Sequence, residues 1–232
     1  MLRSFAAVLF VTAALVAQSP DPKAPSVRVP VFPNSTCPIM GKKISLPLFV
    51  DTVMGRIYIC CKPCIRKIQR DVPTAHKTAF PVVEEVANEV CPVSGAKLGA
   101  TAVAVTLQGS RFKVCCADCV PVAQAHHQVT LVRLHEPKLV DVGNRTCPID
   151  GKPVAANAFA VVGEAIVHLS APAQVAEVEK APAKVLAKAL EIAAKQPKAE
   201  PHRCKPAEEP AKEPAKDPAA GGKGEVGAES GR

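Results

Sequence analysis

A cysteine pattern that comes round three times constrains this chain more than any other feature. Thr36-Cys37-Pro38-Ile39-Met40-Gly41 recurs as Val90-Cys91-Pro92-Val93-Ser94-Gly95 and again as Thr146-Cys147-Pro148-Ile149-Asp150-Gly151. A second block follows the first two copies: Cys60-Cys61-Lys62-Pro63-Cys64 and Cys115-Cys116-Ala117-Asp118-Cys119. Self-similarity at a near-constant period marks a chain built from one unit laid end to end.

Composition says what such a unit lacks. The 232 residues include 7 Phe, 1 Tyr and no Trp, and large aromatic side chains dominate core energetics. The 48% hydrophobic fraction is ordinary for a folded protein and excludes global disorder. A unit of about 50 residues with so little aromatic mass usually needs a metal or disulfide staple. Between the blocks, Ile44, Leu46, Leu48 and Val50, then Val103, Val105 and Leu107, alternate at period two before Gly55, Gly109 and Gly163. That pattern predicts a β-hairpin in each copy. Pro63 and Pro121 sit near helix starts, where proline is tolerated, so short helices are expected over 65–70 and 120–128. In copy three Pro182 opens a helix with Val185, Leu186, Ala189, Leu190 and Ile192 at helical spacing. The expected fold is α+β, a tandem of small units, each a knuckle, a hairpin and a short helix.

Four cysteines per unit are enough for one tetrahedral thiolate site. The candidates are Cys37, Cys60, Cys61 and Cys64 in the first unit and Cys91, Cys115, Cys116 and Cys119 in the second. Cys60 at a strand end and Cys64 one helical turn later can converge, with Cys37 closing from the knuckle. A helix N-terminus also favours the thiolate that binds metal. A trans peptide holds the Cα atoms of adjacent cysteines ~3.8 Å apart, below the ~4.4–6.8 Å usual for a disulfide. A Cys60–Cys61 bridge would therefore be strained. Disulfides Cys37–Cys60 and Cys61–Cys64 remain the competing arrangement in an oxidising compartment. Thiolate sites suit Zn(II) and Cu(I) alike; Zn(II) is the expected ion.

In copy three, aligning the apolar runs puts Leu169, Ser170 and Ala173 where the second-block cysteines should be, leaving Cys147 alone. His168 falls one position early, on the opposite face of its strand, and is not counted as a ligand. Cys147 and Cys204 have no partners in this scheme and read as remnants or free thiols. His126 and His127 are expected at the exposed end of the copy-two helix. Cys61–Cys64 and Cys116–Cys119 match a thioredoxin-type Cys-x-x-Cys, but no βαβ pattern surrounds them. The sequence has no Ser/His/Asp set, paired carboxylates or phosphate loop, so no enzyme is expected.

The stretch from Cys37-Pro-Ile-Met-Gly41 through Gly55-Arg-Ile-Tyr-Ile-Cys60-Cys61-Lys-Pro-Cys64 resembles the TRASH/YHS superfamily of small treble-clef-like metal-binding modules. The resemblance covers 34–80 and 88–130, with a degenerate copy at 144–195. It implies a core of Cys37, Cys60 and Cys64, then Cys91, Cys115 and Cys119, with Cys61 and Cys116 as fourth ligand or vicinal accessory. It also implies a role in heavy-metal trafficking, sensing or resistance. Copy three departs from the pattern and implies no third site.

The two ends differ from the middle. Arg3 precedes an apolar run from Phe5 to Ala17, broken by Thr12. That run fits an export signal and falls short of the ~18 residues of a membrane span. A periplasmic or secreted protein is expected, with no membrane span after cleavage. The Pro, Ala, Lys and Glu of the C-terminal stretch cannot offset the entropy of ordering. The expected organisation is signal 1–19, Pro-rich linker 20–33, modules 34–84, 85–138 and 139–195, and disordered tail 196–232. The net charge of +8 is scattered and lacks an aromatic stacking platform, which argues for solubility rather than a nucleic-acid partner. Asn34-Ser35-Thr36 and Asn144-Arg145-Thr146 match the glycosylation acceptor pattern, relevant only in a eukaryotic secretory pathway.

Overall fold

The computed structural model describes residues 25–196. The expected export signal, most of the tail and Cys204 lie outside the described residues. The architecture is mixed α+β. Each cysteine-bearing segment carries an antiparallel hairpin: β2 (Ser45–Thr52) with β3 (Gly55–Ile59), β5 (Val103–Leu107) with β6 (Ser110–Val114), and β8 (Phe159–Val162) with β9 (Ala165–His168). Short strands join these hairpins. β1 (Val27–Arg28) pairs antiparallel with β8, while β4 (Glu84–Glu85) and β7 (Val140–Asp141) pair parallel with β6 and β9.

Every hairpin leads into two helices rather than the single helix expected. α1 (Cys64–Arg70) precedes α2 (Val72–Ala79), α3 (Cys119–Ala125) precedes α4 (His127–His135), and α5 (Val175–Lys180) precedes α6 (Pro182–Lys195). The helix expected over 120–128 breaks at His126, whose φ of −111° and ψ of 39° leave the helical region. The break between α1 and α2 is capped. Asp71 accepts a hydrogen bond from the Thr74 N–H at 3.1 Å, and Pro73 sits in the first turn, where its missing N–H costs nothing.

Three apolar clusters form, one per copy. Ile57, Ile59 and Ile68 pack in the first, Leu107, Phe112, Val114 and Leu131 in the second, and Ala160, Val162, Val167, Leu169 and Val178 in the third. A fourth cluster joins Val129 and Val132 of α4 to Phe159, Val161 and Ile166 of the third copy. Helix α4 is therefore buried on nearly every side, with Gln128, Thr130, Leu131 and Val132 all at 3% exposure or less. A helix that is covered all round is a core element rather than a surface one. His127, expected at an exposed helix end, is 2% exposed because it opens this central helix instead of closing the preceding one.

Polar contacts tie the first copy to the second. The Gln108 amide accepts from the Arg56 N–H at 2.9 Å and from Gln128, and donates to the Phe32 carbonyl at 2.8 Å. This needs a glycine at position 55, where φ is +111° and a Cβ would lie 2.5 Å from Gln108 Cγ. Asp51 receives Arg56 Nε at 2.7 Å and stands 3.2 Å from His127 Nε2.

Burial alone would raise the Asp51 carboxyl, but hydrogen bonds and charge from His127 and Arg56 hold it down to about 2. Its stabilisation is complete above the ordinary carboxylate pKa of about 4 and is lost as pH falls through the depressed value. Asp51→Asn should lower stability at neutral pH by about 1 kcal/mol, given the partial exposure of the group. It should also flatten the acid limb of stability against pH between about 2 and 5, read by denaturant unfolding.

Candidate metal centre

An asparagine three residues before each knuckle cysteine, buried at 34 and 144 and half-buried at 88, sets the geometry. Asn34 donates to the carbonyls of Thr36 (2.8 Å) and Tyr58 (3.0 Å) and accepts from the Tyr58 N–H at 2.8 Å. Asn88 does the same with Val90 and Lys113, and Asn144 with Thr146 and His168. Each amide pins the approach to the knuckle against the returning strand of the hairpin. The knuckle itself closes when the N–H of Gly41, Gly95 or Gly151 bonds the carbonyl of its cysteine at 2.8–3.0 Å. Each of these glycines has a positive φ, between 64° and 75°, a region that side chains other than glycine's avoid. Asn34 and Asn144 are 3% and 2% exposed, so their sequon match describes a structural amide rather than an accessible acceptor. Asn88, which lacks the sequon, plays the same part. An asparagine three places before every knuckle cysteine was the available signal.

With knuckle and strand end pinned together, the sulfurs converge. Cys37, Cys60 and Cys64 place their Sγ atoms within 4.8 Å of one another, as do Cys91, Cys115 and Cys119. Cys37 to Cys64 is 3.6 Å and Cys60 to Cys64 is 4.0 Å; Cys115 to Cys119 is 3.4 Å. A tetrahedral ion at the usual Zn–S distance of 2.3 Å would separate its sulfurs by ~3.8 Å. The vicinal cysteines lie close by. Cys61 Sγ is 3.7 Å from Cys60 and 3.5 Å from Cys64, and Cys116 Sγ is 4.0 Å from Cys115 and 3.9 Å from Cys119. Neither belongs to the two three-sulfur groups. All cysteines among the described residues are unbridged thiols.

The thiols of each group are driven apart in acidity. Burial opposes ionisation of Cys37, yet N–H groups of Cys60, Ile39 and Met40 bond its sulfur and bring it down to about 7. Cys91 is likewise lowered against its burial, by the Ser94 hydroxyl and neighbouring N–H groups. Cys64 is pushed up to about 12 by burial and by the Cys61 and Cys37 thiols, and Cys119 is raised by burial and the Cys115 thiol. A thiol that ionises more readily than its neighbours is the first of each group available to a cation, and ligation would displace the protons of the rest.

Copy three corrects the alignment made from its apolar run. Its hairpin register pairs Val162 with Ala165 as Thr52 pairs with Gly55 and Leu107 with Ser110. With His168 opposite Asn144, this puts Ser170, Ala171 and Gln174 at the places of Cys60, Cys61 and Cys64, one residue beyond the expected Leu169, Ser170 and Ala173. Counting from Cys147 as from Cys37 to Cys60 would have reached Ser170; the apolar run misled because the hairpin glycine shifts within the turn. Gln174 fills the centre. Its Oε1 accepts from Cys147 Sγ (3.2 Å), Ser170 Oγ (3.0 Å) and the N–H groups of Ser170 (3.1 Å) and Ala171 (3.2 Å). Cys147 is a free thiol, as expected, and a buried donor to this oxygen. His168 bonds Asp141 at 2.8 Å, and neither it nor His126 or His127 joins a cysteine group.

No family model, curated protein or solved structure matches the chain.

Removing the Gln174 amide leaves the buried Cys147 thiol and the half-buried Ser170 and Ala171 donors without this acceptor, each costing about 1–3 kcal/mol when no water replaces it. Gln174→Ala should therefore destabilise the protein by about 2 kcal/mol or more in denaturant unfolding, with the thiol groups of the other two copies unaffected.

Proposed function

We propose that this protein binds soft metal ions through two cysteine sites, one in each of its first two copies, for trafficking or resistance in the cell envelope. The observation that carries the reading is the convergence of Cys37, Cys60 and Cys64, and of Cys91, Cys115 and Cys119, into groups of ligating size. Cys61 and Cys116 complete each set as fourth ligands, a small rotation of either side chain bringing it toward the knuckle sulfur. Sulfur-only donors favour Zn(II) or Cu(I) over hard cations, and Zn(II) is the first choice for a tetrahedral set. The resemblance to TRASH/YHS modules and the apolar N-terminal run support metal handling in an exported protein without catalytic chemistry. No helix among the described residues is long and apolar enough to cross a membrane.

The test is stoichiometry. Protein purified under reducing conditions and dialysed against Zn(II) should carry one equivalent for each of the two groups, with its thiols unoxidised. Cys64→Ser should remove one equivalent and loosen the first copy while the second stays loaded. Cys204→Ser should change neither. An intact mass indicating four disulfides, with no metal by elemental analysis, would overturn the reading.

A further inference from the structure

The two sulfur groups share a plan but differ in what covers them. In the second, Cys91, Cys115, Cys116 and Cys119 are all 5% exposed or less. In the first, Cys37 and Cys64 are 1% exposed while Cys60 and Cys61 reach solvent. The difference traces to the residue three places after the knuckle cysteine. Ser94 sets its hydroxyl 3.2 Å from Cys115 Sγ, and Asp150 Oδ2 of the third copy lies 2.9 Å from Ser170 Oγ. In the second copy this contact accompanies a buried Cys115, whereas Ser170 of the third copy stays half-buried. The first copy has Met40 there, 48% exposed, with a thioether that has no hydrogen to donate.

The rims differ as well. Exposed Lys42 and Lys43 follow the first knuckle in the chain, and exposed Lys62 follows Cys61. Their counterparts around the second are Ala96, Lys97 and Ala117, followed by Asp118. The second group keeps exposed Lys97 and has Arg133 donating to the Val93 carbonyl at 2.8 Å, but that guanidinium is partly covered and faces Asp141. Exposed positive charge is therefore denser at the first group and draws an approaching anion there more strongly.

Resting on the metal-binding reading, we infer that the two sites divide labour: the first is the exchange site, opened through Cys60 and Cys61, and the second holds its ion as a permanent part of the fold. The partner at the exchange site is an anionic, sulfur-bearing acceptor. Its thiolate joins the ion as the Cys60 or Cys61 sulfur leaves, the departing thiolate takes up a proton from water, and no electron changes hands. At the second site the Ser94 hydroxyl stays on Cys115 and the burial of all four sulfurs denies an incoming ligand any line of approach.

The experiment loads the full chain with Cd(II), whose sulfur charge-transfer absorbance reports each site, and challenges it with excess of an anionic dithiol chelator. Release should come in two phases of equal amplitude, the fast one about ten-fold or more quicker, which is what a single hydrogen bond to charged sulfur sustains. Cys64→Ser should delete the fast phase and Cys119→Ser the slow one. Ser94→Met, which alters no ligand, should quicken the slow phase about ten-fold. Alkylation of the loaded wild-type protein, followed by peptide mass mapping, should mark Cys60 and Cys61 before Cys115 and Cys116, and needs no variant to fold. Two bound equivalents leaving at one rate, or a fast phase that persists in Cys64→Ser, would overturn the division while leaving metal binding intact. A chain that takes up no Cd(II) would overturn metal binding itself.

Discussion

The amide of one asparagine, used three times, is the constraint on which the rest of the structure hangs. By bonding both the N–H and the carbonyl of a residue near the end of the returning strand, Asn34 holds the knuckle against the place where Cys60 and Cys61 begin. The knuckle cysteine then faces the helix-start cysteine whatever fills the space between them. A buried amide satisfied on both its faces gives directional order that apolar packing alone does not. The same bonds in the third copy produce the same convergence with only one cysteine present. Convergence therefore comes from backbone geometry, and any ion would enter a pocket already shaped for it.

The third copy shows what an ion's absence requires. A centre that gathers a thiol, a hydroxyl and two N–H groups demands an acceptor in the middle, because unpaired buried donors are costly. The Gln174 carbonyl oxygen supplies it. A metal in the other two copies would meet the complementary need, a positive centre for sulfurs that ionise. The third segment thus keeps the unit's shape on hydrogen bonds alone, and its Phe159, Val161 and Ile166 are free to cover α4.

Much of this was legible in the chain. Alternating apolar residues gave away the first two hairpins, a turn glycine the third, and Pro182 marked the start of α6. The cysteine spacing brought together Cys37, Cys60 and Cys64 and their counterparts. What escaped was tertiary. Nothing local in His127-Gln128-Val129-Thr130 announces a helix buried on all sides, since burial there is conferred by Asp51, Gln108 and Asn157 reaching in from elsewhere. The third copy's register was hidden because the turn glycine drifts: Gly55 starts its returning strand, whereas Gly109 and Gly163 sit within their turns. Two of the asparagines fit a glycosylation pattern that their burial forbids, and that pattern masks their structural part.

The placement of the copies follows from these differences. A unit poor in aromatic mass gains stability by sharing apolar surface with its neighbours. Here the sharing centres on α4, reached from one side by the first hairpin and from another by the third. β1 extends the third copy's sheet, and Arg28 pairs with Glu136 just past the end of α4, so the chain's leading segment straps the three together. The second sulfur group belongs to the copy that owns α4, and all four of its cysteines are buried. The first lies in an outer copy, one flank joined to α4 through Asp51 and Gln108 and the cysteine end left partly open. An ion lost from the first group would loosen one outer copy, whereas one lost from the second would disturb the helix that all three share. That asymmetry of consequence argues for the outer group as the one able to give up its ion while the fold persists.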